Sequence, residues 1–196
     1  SHYHNLFKST FSNLCKLSIE IKYTVSPVQK LNKDTLHFSE SNEKLKTKHE
    51  VNNLNVKYNF SSFIKGDHNQ FARAAAISVS ENPGTDSFNP LVIYGGVGMG
   101  KTHLLHAIGN KINNDFSKKR VVCASSEKFT LDFISSIQKS KTVEFSNSYR
   151  SADVLLIDDI QFFQGKEQTQ EQFFHTFNEL FQSGKQIVMT ADRYPG

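Results

Sequence analysis

Apolar residues follow two alternating patterns along residues 58–196. Short unbroken apolar runs have the length and composition of buried strands. Between them, longer stretches place apolar residues three or four positions apart, which indicates helices. The runs are 91–94, 120–125, 153–159 and 186–192, and the helical stretches are 68–81, 104–112, 127–140, 143–150 and 168–182. Strands that alternate with helices predict an α/β fold with a parallel sheet.

Two details of the helical stretches are specific enough to test. In 127–140 the apolar repeat predicts that Phe133, Ile134 and Ile137 face inward. In 168–182 the repeat is rich in phenylalanine and is followed by Gly184, a residue that commonly ends helices.

The first 57 residues have a different pattern. Residues 1–15 have the pattern of the end of a helix, and residues 17–25 alternate apolar and polar positions, which is typical of a half-buried strand. From 26 to 57, Ser, Asn, Lys, Glu and Thr dominate without a sustained period, which predicts a flexible linker; a short surface helix over 40–50 is the alternative. We therefore predict a partial N-terminal α/β segment at 1–25, a linker at 26–57 and the main domain at 58–196.

Charge and composition narrow the class of protein only slightly. The net charge of +4 comes from the N-terminal part, since residues 1–58 hold nine Lys or Arg and five Asp or Glu, and residues 59–196 hold fourteen of each. The basic pI alone therefore does not predict nucleic-acid binding. With no apolar run of 18 residues and no signal-peptide pattern, we expect a soluble, cytoplasmic protein. Cys15 and Cys123 lack metal-ligand spacing and are expected to be reduced thiols.

A glycine-rich segment directly after the run 91–94 carries the strongest chemical signal. It reads Gly95-Gly96-Val97-Gly98-Met99-Gly100-Lys101-Thr102 and fits G-x-x-x-x-G-K-[ST], the phosphate-binding loop of nucleoside triphosphatases. The backbone N–H groups of such a loop and the start of the following helix attract an anion. Lys101 is then expected to reach the β- and γ-phosphates, and the Thr102 hydroxyl to ligate Mg²⁺. A glycine-rich turn without a ligand is the alternative.

Two acids end the third apolar run. Asp158 and Asp159 follow four apolar residues, which predicts carboxylates at the carboxyl end of a buried parallel strand. Ligands of open α/β sheets bind at that edge. We expect Asp158 to hold Mg²⁺, directly or through water, and Asp159 to orient or deprotonate the attacking water. A solvated turn is the alternative for the acids taken alone.

Three longer segments resemble the family of bacterial chromosomal replication initiators, DnaA, over about residues 58–194. They are 89–107, 153–163 and 166–180. The resemblance implies the AAA+ form of the α/β fold, a P-loop domain with a parallel three-layer αβα sheet that is incomplete here at its C-terminal side. It also implies ATP and ADP binding with Mg²⁺, self-association at the replication origin and opening of the duplex.

The resemblance also implies roles for individual residues of the nucleotide site. Phe63, Ile64, Lys65 and Gly66 match the segment that lines the adenine and ribose pocket in the family, and Asn69 is expected to support that segment. Asp192, at the end of the last strand, matches the sensor-1 position, which reports on the γ-phosphate.

The partners follow from the same resemblance. The helices at 127–150 match the initiator-specific insertion, and Ile134 and Lys166 match positions near single-stranded DNA, whereas Gln168 stands where some relatives carry a basic residue. The implied partners of the intact family member are double- and single-stranded origin DNA, the replicative helicase through the N-terminal domain, further ATP-bound copies of the chain, and acidic phospholipids.

Residues 1–196 do not cover every part of the family pattern. The family's fifth core strand, arginine finger, sensor-2 arginine, helical lid and helix-turn-helix follow the last strand and have no counterpart in these residues. From the residues in hand we therefore expect very weak hydrolysis, weak DNA binding and an open sheet edge at 91–94. The alternative functions are an AAA+ helicase loader or DnaA-related regulator, and a nucleotide-binding fragment without turnover. A P-loop metabolic kinase is disfavoured because no segment suggests a substrate pocket.

Overall fold

The computed structural model describes residues 53–85 and 88–193. The segment predicted at 1–25 and most of the linker predicted at 26–57 lie outside the described residues. Helices and strands alternate as predicted from the apolar pattern. They are α1 (Gln70–Glu81), β1 (Leu91–Tyr94), α2 (Lys101–Asp115), β2 (Val121–Ser125), α3 (Ser126–Gln138), α4 (Thr142–Arg150), β3 (Val154–Asp158), a 3₁₀ helix (Ile160–Phe163), α5 (Glu167–Gln182) and β4 (Gln186–Ala191).

The four strands form one parallel sheet in the order β1-β4-β3-β2. The predicted α/β class and its parallel sheet are confirmed. β1 lies at an edge of the described sheet and β4 lies between β1 and β3. All four strands run the same way. The loop after β1, the acids after β3 and the end of β4 therefore lie together at the carboxyl ends of the strands. The topology therefore brings together the segments in which the sequence predicts a site.

Two apolar layers cover the two faces of the sheet. Successive residues of a strand point to opposite faces, so that in β3 Leu156 packs with one layer and Leu155 with the other. The first layer is built with α1 and α2, and the second with α3, α4, the 3₁₀ helix and α5. The three-layer αβα arrangement expected from the family resemblance is confirmed.

An aromatic cluster holds the helices of the second layer together. The Phe129 ring, on α3, is fully buried, and its centroid lies 5.1 Å from that of Phe145, 4.7 Å from that of Tyr149 and 5.6 Å from those of both Phe163 and Phe173. These are edge-to-face distances. One side chain thereby contacts α4, the 3₁₀ helix and α5. The cluster therefore packs four helical elements of the second layer around one ring.

The inward face predicted for 127–140 is wrong for two of its three residues. Ile134 is 45% exposed and Ile137 is 48% exposed, whereas Phe133 packs against the second apolar layer. The buried stripe is Phe129, Phe133 and Ser136, which follow the i, i+4, i+7 repeat. The stripe with the two isoleucines is rotated away from the core by one residue. Apolarity alone could not distinguish the two stripes because a small serine occupies an inner position.

The packed region also begins earlier than Tyr58, the predicted start. Leu54 packs against the first apolar layer, where its Cδ2 atom lies 2.6 Å from the position that a Cβ on Gly109 would take. The side-chain amide of Asn110, the next residue of α2, donates to the carbonyls of Asn55 at 2.9 Å and Tyr58 at 2.8 Å. Glycine at position 109 therefore leaves room for a segment that composition assigns to the linker.

The single cysteine of the described part, Cys123, is buried in β2. Burial raises the pKa of its thiol to about 12, and the charge of Asp158 acts in the same direction. The thiol is therefore protonated at neutral pH and unreactive, as the sequence predicts. In the same described ranges, no helix is long and apolar enough to cross a membrane.

We expect Phe129→Ala to lower the free energy of unfolding by about 3–5 kcal/mol, because it empties the centre of the aromatic cluster. The matched control is Leu131→Ala on the same helix, where the side chain is exposed and the change is expected to stay within about 0.5 kcal/mol. Urea unfolding followed by circular dichroism measures both. Equal losses in the two variants would contradict the central place of Phe129.

Candidate nucleotide-binding site

The loop between β1 and α2 has the shape of a phosphate cradle. Gly98 and Gly100 adopt positive φ angles of 81° and 84°, and the Gly95 N–H donates to the carbonyl of Ala191 on β4. Gly100 must be glycine for two reasons. Its φ is unfavourable for residues with a side chain, and an added Cβ would lie 2.9 Å from the Phe63 ring. The loop then opens directly onto the N-terminus of α2, where unpaired N–H groups favour an anion.

Lys101, the first residue of α2, points back over the loop. Its side chain is largely buried, and Nζ donates to the carbonyl of Gly96 at 3.0 Å. An ammonium has three donors, so this contact leaves others available to phosphate oxygens. The remaining loop residues Gly96, Val97 and Gly98 are exposed, with Met99 half-buried beside them. The lysine therefore sits at the base of an accessible cradle.

Thr102 and Asp158 meet across 56 positions of sequence. The Thr102 hydroxyl donates to Asp158 Oδ2 at 2.8 Å, and the hydroxyl of Thr190 on β4 donates to Oδ1 of the same carboxylate. Both oxygens of Asp158 are thus engaged by hydroxyls from the neighbouring elements α2 and β4. A hydroxyl and a carboxylate at this position match what Mg²⁺ takes from a protein when nucleotide phosphates supply further oxygens.

Asp159 is held in an unusual backbone conformation. Its φ of 56° and ψ of 57° are left-handed, a region that non-glycine residues adopt at a cost of about 1–2 kcal/mol. Its N–H donates to Thr190 Oγ1 at 2.8 Å, and its carbonyl accepts from the buried Ser126 hydroxyl at 2.6 Å. The Gln161 amide donates to its Oδ1 at 3.1 Å. The turn therefore redirects the chain out of β3 and fixes where the carboxylate lies.

Asp192 lies next to this turn. Its N–H donates to Gln161 Oε1 at 3.3 Å. Its buried Oδ1 accepts no hydrogen bond from the described residues, and the nearest cation is the Arg193 guanidinium, with Nε at 3.7 Å. Asp158, Asp159 and Asp192 thus belong to one network of contacts, which Thr190 and Gln161 join. Neither of these two residues, nor Ser126, is identified by sequence reasoning, because a lone hydroxyl or amide carries no motif.

The segment expected to line the base pocket lies over the loop. Phe63 is buried against Gly100 and His103, whereas Ile64 is 85% exposed and Gly66 is open to solvent. The Asn69 side chain accepts from the Gly66 N–H at 2.9 Å and donates to the Ile64 carbonyl at 3.0 Å. These two bonds hold the turn of the segment, and they are the support that we expect from Asn69.

Two histidines tie residues 55–63 to α2. The Tyr58 ring stacks on His103 with 4.9 Å between centroids, and His103 Nε2 lies 2.8 Å from the Asn59 carbonyl. His106 Nδ1 accepts the Asn55 N–H at 3.0 Å. Since α2 starts in the phosphate cradle, these bonds connect residues 55–63, which we call the strap, to the nucleotide site.

The residues expected near DNA lie elsewhere on the surface. Ile134 is exposed on α3, and Lys166 is exposed at the N-terminus of α5. Gln168, the second residue of α5, is also exposed. The exposure of Ile134 overturns its predicted place in the core and leaves the side chain accessible to a ligand.

The cradle, the lysine and the paired hydroxyl and carboxylate at one edge of a parallel sheet define the P-loop class of nucleotide-binding domains. The model of the family described as bacterial DnaA ATPase domain matches residues 54–196, so the chain belongs to that family.

Solved structures agree with this assignment. Domain III of the Thermotoga maritima replication initiation protein DnaA is 49% identical with a TM-score of 0.70, covering 72% of this chain and 59% of that one. AMPPCP-bound DnaA from Aquifex aeolicus is 43% identical with a TM-score of 0.70, covering 74% of this chain and 44% of that one. The same values hold for a replication initiator DnaA bound to AMPPCP and single-stranded DNA. The chain thus spans between about two fifths and three fifths of these proteins.

More distant structures share the fold alone. The DnaC helicase loader is 17% identical with a TM-score of 0.62, and DnaI is 20% identical with a TM-score of 0.59. The helicase-loader alternative is therefore much less similar to this chain than the DnaA proteins are.

The contact between His106 and the strap leads us to expect that stability depends on pH. Burial lowers the pKa of His106 from 6.5; the charge of His103 adds to the effect and that of Asp158 opposes it. The unfolded chain therefore takes up the proton first, so the stabilisation is complete above about pH 6.5 and decreases as the pH falls through that value. Protonation also removes the acceptor that holds Asn55.

We expect the free energy of unfolding to fall between about pH 7.5 and pH 5.5, and His106→Gln to reduce this dependence. His175→Gln is the control, since His175 lies exposed on α5. An undiminished pH dependence in His106→Gln would show that another group is responsible.

Proposed function

We propose that this chain contains the ATP-binding module of a bacterial chromosomal replication initiator. The observation that carries the proposal is the contact of Thr102 with Asp158, 2.8 Å apart beside the Lys101 cradle. A hydroxyl from the loop helix and a carboxylate from β3 have to meet at this place for a nucleotide and its metal to be held. Membership in the DnaA family supports the initiator function.

ATP and ADP are the proposed ligands. The phosphates would lie on the N–H groups of the loop and on Lys101, and the base beside Phe63, Ile64 and Gly66. Two kinds of support exist: the accessible cradle, and the AMPPCP that a 43% identical DnaA carries in its structure. The exposed Ile64 side chain offers apolar surface to a purine ring.

Mg²⁺ is the proposed metal, held by Thr102 and by Asp158. The hydroxyl and the carboxylate fit the preference of Mg²⁺ for oxygen ligands. Two protein ligands are enough, because Mg²⁺ in nucleotide sites usually retains several waters and binds phosphate oxygens. When bound, Mg²⁺ supplies positive charge against the phosphate oxygens. The Thr102 hydroxyl would ligate Mg²⁺ through an oxygen lone pair while its proton stays bonded to Asp158, and Thr190 would hold the other oxygen of that carboxylate.

Hydrolysis is the proposed reaction of the intact site. A water oxygen would bond to the γ-phosphorus, the bond to the β–γ bridging oxygen would break, and ADP would leave with inorganic phosphate as the second product. Asp159 would orient this water and accept its proton, and Asp192 would contact the γ-phosphate side through water. The bond from Gln161 to Asp159 Oδ1, on a left-handed turn whose backbone is bonded to Ser126 and Thr190, supports a fixed carboxylate.

The remaining assignments are proposals for the whole protein. They are self-association in the ATP-bound form, opening of origin DNA, contact with the replicative helicase through an N-terminal domain whose last part is residues 1–25, a flexible linker at 26–57, contact with acidic phospholipids, and action in the cytoplasm. A fragment that binds nucleotide without turnover is the second candidate for residues 1–196. Measured binding with no hydrolysis would favour it.

Lys101→Ala is expected to weaken ATP and ADP binding by about 10- to 100-fold, since a charge-assisted hydrogen bond contributes roughly 1.5–3 kcal/mol. Lys118→Ala is the matched control, because Lys118 is exposed before β2, at the opposite edge of the sheet. Calorimetric titration of both folded variants measures their affinities for ATP and ADP. Unchanged affinity in Lys101→Ala would refute the nucleotide site.

For DNA, we expect Lys166→Ala to reduce the slope of log affinity against log salt by about 0.7 on a single-stranded oligonucleotide, the value for one phosphate contact. Ile134→Ala is expected to weaken binding without changing the slope, because an apolar side chain displaces no counterion. Fluorescence anisotropy across a salt series measures both, with Lys118→Ala as the control. The DNA assignment is wrong if Lys118→Ala changes the slope as much as Lys166→Ala does.

A further inference from the structure

The Gln161 side chain connects two acids that belong to different strands. Gln161 lies on the 3₁₀ helix that follows β3. Its Nε2 donates to Asp159 Oδ1 at 3.1 Å, and its Oε1 accepts from the Asp192 N–H at 3.3 Å. One amide thereby joins the carboxylate after β3 to the backbone at the end of β4.

The orientation of this amide is determined by its partners. A carboxylate oxygen can only accept, and a backbone N–H can only donate. A flipped amide would place Oε1 against Asp159 and Nε2 against the Asp192 N–H, which loses both bonds. Gln161 is therefore held in one orientation, with its donor towards Asp159 and its acceptor towards Asp192.

The other anchors of Asp159 act on its backbone. Thr190 accepts the Asp159 N–H, and Ser126 donates to the carbonyl. They fix the left-handed turn but leave the χ angles of the carboxylate free. Among the described contacts of Asp159, the bond from Gln161 is the one that fixes the carboxylate itself. The direction of the Asp159 side chain is thus set by a residue whose own position depends on Asp192.

We propose that Gln161 is a positioning residue that couples Asp159 to Asp192, so that the end of β4 sets where the Asp159 carboxylate lies during hydrolysis. The inference rests on the proposed ATPase function, because Asp159 and Asp192 need a nucleotide to act on. The two polar atoms of the Gln161 side chain are engaged by Asp159 and by the Asp192 N–H. It acts through Asp159, and a displacement of Asp192 by the γ-phosphate side of the nucleotide is passed to Asp159 through the amide.

The test uses two variants that separate the two bonds. Gln161→Ala removes both bonds, whereas Gln161→Glu retains an acceptor for the Asp192 N–H and replaces the donor by a carboxylate that repels Asp159. Gln182→Ala, exposed at the end of α5, is the control. Three quantities are measured on the full chain: ATP affinity, the rate of hydrolysis in a single turnover with protein in excess, and hydrogen exchange of the Asp192 amide by NMR.

We expect both Gln161 variants to hydrolyse about 10- to 100-fold more slowly than the unchanged chain, the effect of losing a hydrogen bond to a charged group. ATP affinity is expected to stay within about threefold, since a rate loss without an affinity loss marks an effect on the transition state. Exchange of the Asp192 amide is expected to become about tenfold faster in Gln161→Ala and to stay slow in Gln161→Glu. A role in folding alone would change the rate and the exchange together in both variants.

Two results would overturn the coupling. One is a hydrolysis rate in both Gln161 variants equal to that of Gln182→Ala. The other is Asp192 amide exchange that does not change in Gln161→Ala, since the bond would then not exist in solution. Failure of the proposed function gives a different result. The unchanged chain would not bind ATP, or Lys101→Ala would bind it equally well. Exchange of the Asp192 N–H would still report on its bond to Gln161.

Discussion

The Asp158 carboxylate is the point on which the rest of the site depends. Thr102 donates to one of its oxygens and Thr190 to the other. These contacts join three elements that are far apart in sequence: α2, which starts in the phosphate cradle, β3, which carries the acids, and β4, which lies between β3 and β1. A partly buried carboxylate without such donors would lose solvation without compensation, so the two hydroxyls and the acid stabilise one another's position.

The same three elements fix the distance between cradle and acids. β4 pairs with β1 on one side and with β3 on the other, and it supplies Thr190 to both Asp158 and the Asp159 N–H. The first apolar layer holds α2 against the sheet, and the second holds α3, whose Ser126 supports the Asp159 turn. Packing on both faces therefore contributes to the geometry of a site at the edge.

Much of this arrangement can be predicted from the sequence because its signals are local. The strands and helices follow from the apolar period, and the cradle from the spacing of Gly95, Gly100 and Lys101. The face of α3 could not be predicted, because a serine takes an inner position and two isoleucines lie outside. The contribution of Leu54 could not be predicted either, since it needs the space that Gly109 leaves on another element.

The network around Asp159 illustrates a second limit. Ser126, Gln161 and Thr190 each contribute one polar atom, and each comes from a different element. Sequence indicates that acids stand at the end of β3, but only the sheet order and the left-handed turn determine which hydroxyl or amide meets them. A sequence motif indicates which reactive groups are present. The orientation of each side chain depends on contacts between residues that are far apart in sequence.

The role proposed for Asp158 and Thr102 is to hold the metal of a bound nucleotide. This role is tested by measuring the affinity for ATP in Mg²⁺ and in EDTA by calorimetry, for the unchanged chain and for Asp158→Asn. We expect removal of Mg²⁺ to weaken ATP binding to the unchanged chain and to have a much smaller effect on Asp158→Asn. The same dependence on Mg²⁺ in both proteins would contradict it.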